Sequence, residues 1–456
     1  MTALAVGSTW PGKALELATL VSSYCGGGPE NAVEAAVIQS DGTIVLGVNV
    51  SKGSKFLKAD GRAPRSGDPV GALVFLAKDG AELRRVYVLG ERINALAVDG
   101  KDHLYVAVSK RGVLKLDPQG QREAVRLSGE DNVKRLDVAP NGTAVFLALS
   151  GRGAHIILLS PEGRKIGDFP GYAYTEDVCL DEARKRVFYT GFRQATAPDT
   201  KDPNRRFPVQ ICYLRSVDFN GRMVWQAYNY PTDPKDPQYL NRPENNMADT
   251  RGYRCRMGAD GRLYAAFEAA GGNHVFRYHP RDVTQPVHNR FAGGDAYHQF
   301  HNTRSEHKLV VGRFDPATGD IERYQQLTGR LSNGRGNAVR VKDGAVAADE
   351  QGQLFVGGTA ASGLPLDFLP EGTGDYTGGA YIMALSPDMK KRYVTRLVAN
   401  GSTRAVAVRR IGSRELLVIG GDTGKGDAPL YIKNAVQDTP EAPGEQAGFF
   451  AVFEVR

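Results

Sequence analysis

Seven stretches of the chain share one pattern of hydrophobic and polar residues. Each has a strand of alternating character, a turn centred on glycine or a polar residue, and a strand rich in β-branched and aromatic residues. The seven copies begin at Val33, Ile93, Val133, Glu176, Tyr253, Gly344 and Thr403. Most copies are followed by two further strand-like segments, as in GALVFLAKDGAELRRVYVL from Gly71.

Four strands per unit and seven units predict an all-β fold, a seven-bladed β-propeller of four-stranded antiparallel blades. A long array of β-sandwiches is the alternative that this pattern leaves open. The last unit is short, since after ELLVIGG it supplies only GFFAVFEV from Gly448. The strand-like segment at residues 15–23 is predicted to complete the last blade and to close the ring. We therefore expect residues 1–456 to form a single propeller domain.

Two segments of unit six resemble a known repeat. LFVGGTAASGLPLDF followed by GGAYIMALSPDMKKRYVTRLV is similar to the SBBP seven-bladed propeller repeat. SSYCGGGPENAVEAAVIQSDGTIVLG, and VFYTGF with ICYLRSVDFNGRMVWQAY, resemble it too, so the likeness covers units one, four, six and seven. The resemblance implies the fold and a secreted or periplasmic, cell-envelope setting in bacteria. It implies no reaction, because propellers host many unrelated functions.

Long insertions are expected to gather on one face. Successive strands of a blade are antiparallel, so loops between second and third strands share a face with the connections between blades. Insertions of these two kinds lie at 51–70, 194–208, 229–250, 271–307, 361–378 and 422–447. We call the face that should carry them the loop-rich face. Binding residues are concentrated on loops held by a rigid scaffold, so this face is the predicted functional surface.

The charge of the chain favours an anionic partner. The net charge is +7 and the pI is about 9.1, but lysines and arginines are scattered among acidic residues rather than grouped in a nucleic-acid-binding arm. An acidic polysaccharide or another anionic polymer is therefore expected, and nucleic acid is not. No apolar run is long enough for a membrane span.

The cysteines and the N-terminal segment give weaker indications of redox state and location. Four cysteines without CxxC spacing predict buried free thiols. One disulfide among them is the alternative that the sequence leaves open. MTALAVGSTWPGK has neither the charged nor the apolar region of a signal peptide, so a cytoplasmic location stays open beside the secreted one.

Candidate chemistry is concentrated between Gly271 and Lys308. This stretch holds six of the eight histidines: His274, His279, His288, His298, His301 and His307. Its prolines and its Gly293–Gly294 pair predict a long folded-back loop.

Three interpretations of this histidine-rich loop remain open. His298 and His301 form an H-x-x-H pair that could bind a divalent metal ion together with His307. Alternatively, an acid and a base could cleave a uronate polymer, as in the polysaccharide lyases that are propellers; the likeness to them is one of fold and residue types only. In the third interpretation the histidines and tyrosines only cross-link the loop by hydrogen bonds.

The lyase interpretation assigns roles to named residues. The predicted catalytic groups are His298, His301, Tyr297, His279 and Tyr278. The predicted substrate-binding groups are Arg277, Arg281, Arg304, Arg251 and Tyr239. The function predicted first is thus binding, with lyase-type cleavage, of an anionic extracellular polysaccharide on the loop-rich face. A non-catalytic protein- or surface-interaction propeller and a metal-dependent enzyme are the alternatives.

Overall fold

The computed structural model describes residues 15–60, 69–126, 132–151, 153–199, 202, 204–239, 248–270, 275–294, 307–333, 335–366, 378–426 and 428–456. These residues form a seven-bladed β-propeller, which confirms the predicted fold class. The chain begins with β1 (Leu17–Cys25), followed by blade 1 with β2 (Ala32–Ile38), β3 (Ile44–Val50), β4 (Val70–Leu76) and β5 (Leu83–Val88). Blade 2 has β6 (Ile93–Val98), β7 (Leu104–Val108), β8 (Gly112–Leu116) and β9 (Glu123–Arg126). Blade 3 has β10 (Val133–Val138), β11 (Ala144–Ser150), β12 (Gly153–Leu159) and β13 (Lys165–Pro170).

The second half of the ring repeats this order. Blade 4 has β14 (Tyr174–Asp181), β15 (Arg186–Pro198), β16 (Arg206–Asp218) and β17 (Met223–Tyr228). Blade 5 begins with β18 (Thr250–Met257) and β19 (Leu263–Ala270). The insertion then forms three short strands, β20 (Tyr278–His279), β21 (Asp282–Pro286) and β22 (Phe291–Gly294), and the blade continues with β23 (His307–Phe314) and β24 (Ile321–Leu327). After a small hairpin of β25 (Gly329–Arg330) and β26 (Gly336–Asn337), blade 6 has β27 (Val339–Ala348), β28 (Leu354–Ala361), β29 (Gly378–Leu385) and β30 (Arg392–Arg396). Blade 7 has β31 (Ser402–Ile411), β32 (Arg414–Asp422) and β33 (Gly448–Val455), and short 3₁₀ helices span Lys55–Asp60, Val275–Arg277 and His288–Arg290.

The N-terminal strand closes the ring. β1 pairs antiparallel with β33, from Leu17 opposite Val455 to Cys25 opposite Gly448. The strand that the sequence predicted at residues 15–23 therefore exists, shifted by two residues. Pairing the two chain ends in one blade satisfies the edge of β33, which would otherwise offer its backbone groups to another strand.

The blades pack face to face, and the core lies between them. All seven residues of β3 are buried, because this strand has a blade on each side. Between blades 4 and 5 the core is aromatic: the ring centroids of Tyr228 and Phe276 are 4.9 Å apart, and those of Phe267 and Phe276 are 5.2 Å apart. Phe276 belongs to the 271–307 insertion, so its burial fixes the described part of that insertion to the blades.

The first strands of the blades surround the central channel. Each first strand contacts the first strands of the neighbouring blades around the complete ring. Every one carries a β-bulge or irregularity, where its register with the second strand shifts. The position immediately after this shift is occupied by Ala35, Ala95, Arg135, Asp177, Arg254, Ala345 and Ala405. A bulge re-aims the side chains beside it, and all seven of these residues line the channel.

Two insertions are more regular than the sequence suggested. The insertion predicted at 194–208 is largely a continuation of β15 and β16, which pair from Arg186 opposite Asp218 to Pro198 opposite Arg206. In the 271–307 insertion, β22 pairs parallel to β24 and adds a fifth strand to the outer edge of blade 5. Both segments lack the strict alternation that marks a strand because their surroundings differ from one residue to the next. In the described part of the chain, no helix is long and apolar enough to cross a membrane.

Candidate functional site

A β-hairpin of blade 4 rises beside the channel on the loop-rich face. The first strand of the blade, β14, begins at Tyr174, which lies opposite Phe192 of β15. Beyond that pair, β15 and β16 continue together for six more residue pairs, from Arg193 to Pro198. At about 3.3 Å per residue, this hairpin extends roughly 20 Å past the start of β14. It forms a wall next to the side chains that β14 presents.

An exposed tyrosine lies against the base of this wall. The side chain of Tyr174 is 54% exposed, although most large aromatic side chains of the described residues are buried. Its ring is stacked on that of Phe192, with centroids 5.1 Å apart and planes inclined by 13°. Tyr253 meets the ring of Phe192 edge-on, with the centroids 6.3 Å apart. Phe192 and Tyr253 are buried, so the exposed ring rests on a fixed support.

Arg251 adds a positive charge to this aromatic group. Its guanidinium carbon lies 5.8 Å from the centroid of Phe192. Nε donates to the side-chain oxygen of Gln210, and Nη2 lies 3.5 Å from Oδ2 of Asp249. Asp249 in turn accepts a hydrogen bond of 2.8 Å from the backbone N–H of Gln210. The sequence predicted Arg251 as a substrate ligand, and the structure places it near Phe192, the ring on which the exposed tyrosine stacks. We call Tyr174, Phe192, Tyr253 and Arg251 the aromatic platform.

A buried carboxylate lies under the platform. Oε1 of Glu268 accepts hydrogen bonds from the backbone N–H groups of Val341 (2.9 Å) and Lys342 (3.1 Å). Oε2 accepts one of 2.9 Å from Nη1 of Arg340 and lies 3.1 Å from Nδ1 of His307. Burial by itself would raise the pKa of Glu268, but His307 and Arg340 together lower it below the ordinary value. Glu268 thus stays ionised and joins blade 5 to blade 6.

Three titratable residues in this region are also buried: Tyr253, His307 and Lys308. Burial, reinforced by the charge of Glu268, raises the pKa of Tyr253 to about 12, so its phenol keeps its proton near neutral pH. His307, predicted as a metal ligand, is buried, and its Nδ1 lies 3.1 Å from Oε2 of Glu268. Lys308, the next residue, is also buried, and burial followed by the charge of Arg330 lowers its pKa to about 7.

The described part of the histidine-rich loop lies on the outer side of blade 5. Nε2 of His279 is 3.1 Å from Oδ1 of Asp320, to which Nη2 of Arg281 also donates at 2.8 Å. Asp320 precedes β24 in the turn after β23, and turns of this kind belong to the face opposite the loop-rich one. Arg277 donates to Nδ1 of His288 at 3.2 Å. The structure therefore brings His279 and Arg281 together with Asp320, and Arg277 together with His288.

Tyr278 and Tyr239 pack against the same side of the molecule. Both are partly buried against the core between blades 4 and 5. The ring of Tyr278 lies 6.4 Å from the imidazole of His288. Next to Tyr239, the amide of Gln238 donates to Asp282 at 3.0 Å. These contacts hold the described part of the 229–250 connection against the β20–β21 hairpin.

The remaining predicted residues lie outside the described residues. They are Tyr297, His298, His301 and Arg304. Among the residues that the structure does describe, no group of three histidine, cysteine, aspartate or glutamate side chains could hold a metal ion. The metal site predicted at His298, His301 and His307 therefore stays a prediction. The four cysteines are all buried and free.

Tyr174, the central residue of the platform, is not among the residues predicted from the sequence. Tyr172 and Tyr174 lie in GYAYTEDV, where the chain enters the first strand of blade 4. Connections between blades open on the loop-rich face, so two tyrosines at that position were an available signal. Phe192 gave no such signal, because it reads as an ordinary core residue of a second strand. Its stacking on Tyr174 follows from the cross-strand register.

Comparisons with known proteins identify no family. No protein-family model matches the chain, and no curated protein matches it. The SBBP resemblance therefore stays a prediction. Among solved structures, the chain is similar to hydrazine synthase of Kuenenia stuttgartiensis, with a TM-score of 0.47 and 11% identity over 86% of this chain and 92% of that one. It is also similar to quinohemoprotein alcohol dehydrogenase of Comamonas testosteroni, with a TM-score of 0.42 and 10% identity over 97% of this chain and 76% of that one. Similarities of this size carry no functional argument.

Proposed function

We propose that the protein binds an acidic polysaccharide at the aromatic platform on its loop-rich face. The observation that carries this proposal is the exposed ring of Tyr174, stacked on the buried Phe192 with Arg251 alongside. The proposal includes the secreted or cell-envelope setting in which such a polymer would be met.

The platform has the two features that an acidic sugar requires. A pyranose ring presents a face of C–H groups that can pack on an aromatic ring, and the ring of Tyr174 offers one face to solvent. A guanidinium binds a carboxylate or sulfate through two parallel hydrogen bonds. Arg251 is held by Gln210 and Asp249 with 23% of its side chain exposed. Groups that are already fixed lose little conformational entropy on binding.

The hairpin of blade 4 suits an elongated ligand. Arg193 lies on it, where Nε donates to Asn229 at 2.6 Å and Nη2 to the carbonyl of Tyr230 at 2.8 Å. These bonds tie the wall to the connection after blade 4. A polymer lying over Tyr174 would therefore run along a rigid border. The net charge of +7 adds a weaker, salt-dependent attraction for any polyanion.

Cleavage is a separate question from binding. Tyr253, with its raised pKa, is suited to donate a proton rather than to remove one. Of the predicted acid–base residues, Tyr278 and His279 lie on the outer side of blade 5, whereas Tyr297, His298 and His301 are outside the described residues. We therefore propose binding as the function and treat lyase-type cleavage as an outcome to be measured.

The test compares polymers and variants. Polygalacturonate, alginate, chondroitin sulfate and neutral dextran are immobilised, and retention of the protein is measured at low and at physiological salt. Tyr174→Ala should weaken retention on the acidic polymer about tenfold, which corresponds to about 1.4 kcal/mol. Tyr174→Phe should keep it, since the ring is retained. Tyr87→Ala, on the outer strand of blade 1, removes a partly exposed tyrosine elsewhere and serves as the control.

Each outcome has a defined meaning. Equal retention of the wild type and Tyr174→Ala would reject the platform. Absence of retention on every acidic polymer would reject the glycan and favour a protein-interaction propeller. New ultraviolet absorbance from unsaturated sugar ends would add a lyase activity to the binding, and its loss with a chelator would support the metal-dependent alternative.

A further inference from the structure

The wall of the central channel differs between its two halves. At the position after the bulge, blades 1, 2, 6 and 7 carry alanine: Ala35, Ala95, Ala345 and Ala405. Blades 3, 4 and 5 carry charged residues at the same position: Arg135, Asp177 and Arg254. At this position one half of the wall is therefore small and apolar and the other half is charged, although Glu34 of blade 1 and Arg404 of blade 7 also line the channel.

The space lies in a defined cavity. All seven first strands line a neck of about 120 Å³ at this level, and we call it the channel neck. It shares Ala36, Arg256 and Val406 with a wider chamber of about 610 Å³. That chamber is lined by the ends of the first strands, on the face opposite the loop-rich one. A small molecule can reach the neck from that face, away from the aromatic platform.

Four guanidinium groups and two carboxylates line the channel neck. The guanidinium groups are those of Arg135, Arg254, Arg256 and Arg404, and the carboxylates are those of Glu34 and Asp177.

Two of the four guanidinium groups are already neutralised. Nε of Arg404 donates to Asp422 at 2.6 Å, and Nη1 lies 3.4 Å from Glu34. Nη1 of Arg256 lies 2.8 Å from Oδ1 of Asp137. Arg135 and Arg254 then share the carboxylate of Asp177, while Arg404 has two carboxylates, so the four guanidinium groups and the four carboxylates balance in number but not in position.

The three remaining groups are held in different ways. Arg254 is buried and donates to three backbone carbonyls, those of Tyr253, Lys342 and Gly344. Asp177 accepts hydrogen bonds from the backbone N–H groups of Val178 (3.0 Å) and Cys255 (3.1 Å).

Arg135 differs from both. Its Nε lies 3.9 Å from Oδ1 of Asp177, and within the described part of the chain this buried atom has no hydrogen-bond partner. Buried donors are normally satisfied, so an unpaired guanidinium N–H beside a cavity suggests that a ligand or ion completes it.

We propose that the channel neck binds a small aliphatic carboxylate, with its carboxylate group on Arg135 and its alkyl part against the alanine half of the wall. The ligand's anionic group would lie where two guanidinium groups share one carboxylate, and a dianion there would be repelled by Asp177. The planar guanidinium matches a carboxylate through paired hydrogen bonds. The alanine side chains give an apolar surface to a short alkyl chain, and a neck of this volume holds an acid of a few carbon atoms.

The probe is propionate, with propionamide as its uncharged isostere, and binding to the full chain is measured by equilibrium dialysis and by saturation-transfer NMR. Wild-type protein should bind propionate and bind propionamide at least tenfold more weakly. Arg135→Gln should weaken propionate binding at least tenfold. Ala345→Leu should do the same without altering any charge, because it fills the neck from the opposite wall. Ala407→Leu is the matched control, since Ala407 lines the wider chamber only.

The variants also separate a binding defect from a folding defect. Circular dichroism and urea midpoints should match wild type for Ala345→Leu, which keeps the test valid if Arg135→Gln unfolds. The proposal is overturned if wild type does not bind propionate, if propionamide binds equally well, or if Ala345→Leu binds like wild type. Polymer retention at the aromatic platform should be unchanged in Ala345→Leu, so the two proposals fail or succeed separately.

Discussion

Replacing Glu268 with glutamine tests how the loop-rich side of blades 5 and 6 is held together. The side chain of Glu268 is 1% exposed, and its two oxygens face two backbone N–H groups, Arg340 and His307. Glutamine keeps one oxygen for Val341 and Lys342, but it turns an N–H₂ group toward Arg340. The substitution therefore removes the ionic half of the contact and leaves a guanidinium facing another donor.

The expected cost can be worked out from these contacts. Breaking a buried ion pair costs about 3–5 kcal/mol. Arg340 is 34% exposed and can be rehydrated, so we expect the lower end, about 3 kcal/mol. At about 2.1 cal/mol/K per residue, unfolding of 456 residues has an entropy of about 1 kcal/mol/K, so the melting temperature should fall by about 3 °C.

The pH dependence provides a second, independent readout. Glu268 has a lowered pKa in the folded protein, so its ionised form stabilises the fold above its unfolded pKa of about 4.3. This stabilisation is lost as the pH falls through the folded pKa. The difference between wild type and Glu268→Gln should therefore be constant near pH 7 and shrink in acid below about pH 4.

Urea unfolding, followed by circular dichroism at several pH values, measures both effects. The control is Glu454→Gln, the same substitution at a surface carboxylate that faces Arg414 at 2.7 Å and Arg456 at 2.8 Å. This control should change stability by no more than about 0.5 kcal/mol. If Glu268→Gln costs no more than the control, or if its difference from wild type does not depend on pH, the assignment of Glu268 as the ionic link between the blades is refuted.

Three further predictions follow from other parts of the ring. Burial, followed by the charge of Asp349, raises the pKa of Glu415 to about 7. The stability of the fold should therefore fall as the pH rises from about 4.3 to about 7, and Glu415→Gln should flatten this dependence when urea midpoints are measured across that range. Because all four cysteines are buried and free, a thiol reagent should modify fewer than one thiol per chain in the native protein and four in denaturant; rapid native modification would contradict their burial. Deletion of Leu17–Cys25 exposes the edge of β33, so the truncated chain should aggregate in size-exclusion chromatography, whereas a monomeric, folded product would show that β1 is dispensable.

The sequence identifies the scaffold because each blade is a local unit. Strand, turn and strand lie within about twenty residues of one another, so their alternation and their turn residues are visible without tertiary contacts. At Thr43, for example, the backbone N–H bonds the side chain of Asp41 at 2.8 Å, and Gly42 adopts a φ of 90°. The Asp-Gly turn that the sequence shows is therefore the turn that the structure forms. The incomplete last unit likewise implied that β1 returns to close the ring.

The candidate site depends on residues that are distant along the chain. Tyr174, Phe192, Arg251 and Tyr253 come together because the first and second strands of blade 4 pair in one register and because blade 5 packs beside them. In the histidine-rich loop, by contrast, closeness along the chain does not bring the described histidines together at one site. His279 faces Asp320, and His307 faces Glu268.

The sequence by itself determined the number of blades and the strands within them, because short-range periodicity and turn chemistry are local. Only the tertiary structure decided which side chains meet. The first strands of all seven blades meet around the axis, and that places Arg135, Asp177 and Arg254 in one cavity with the alanines of the other blades. No local pattern distinguishes these three residues from surface charges, because their neighbours in the channel come from other blades.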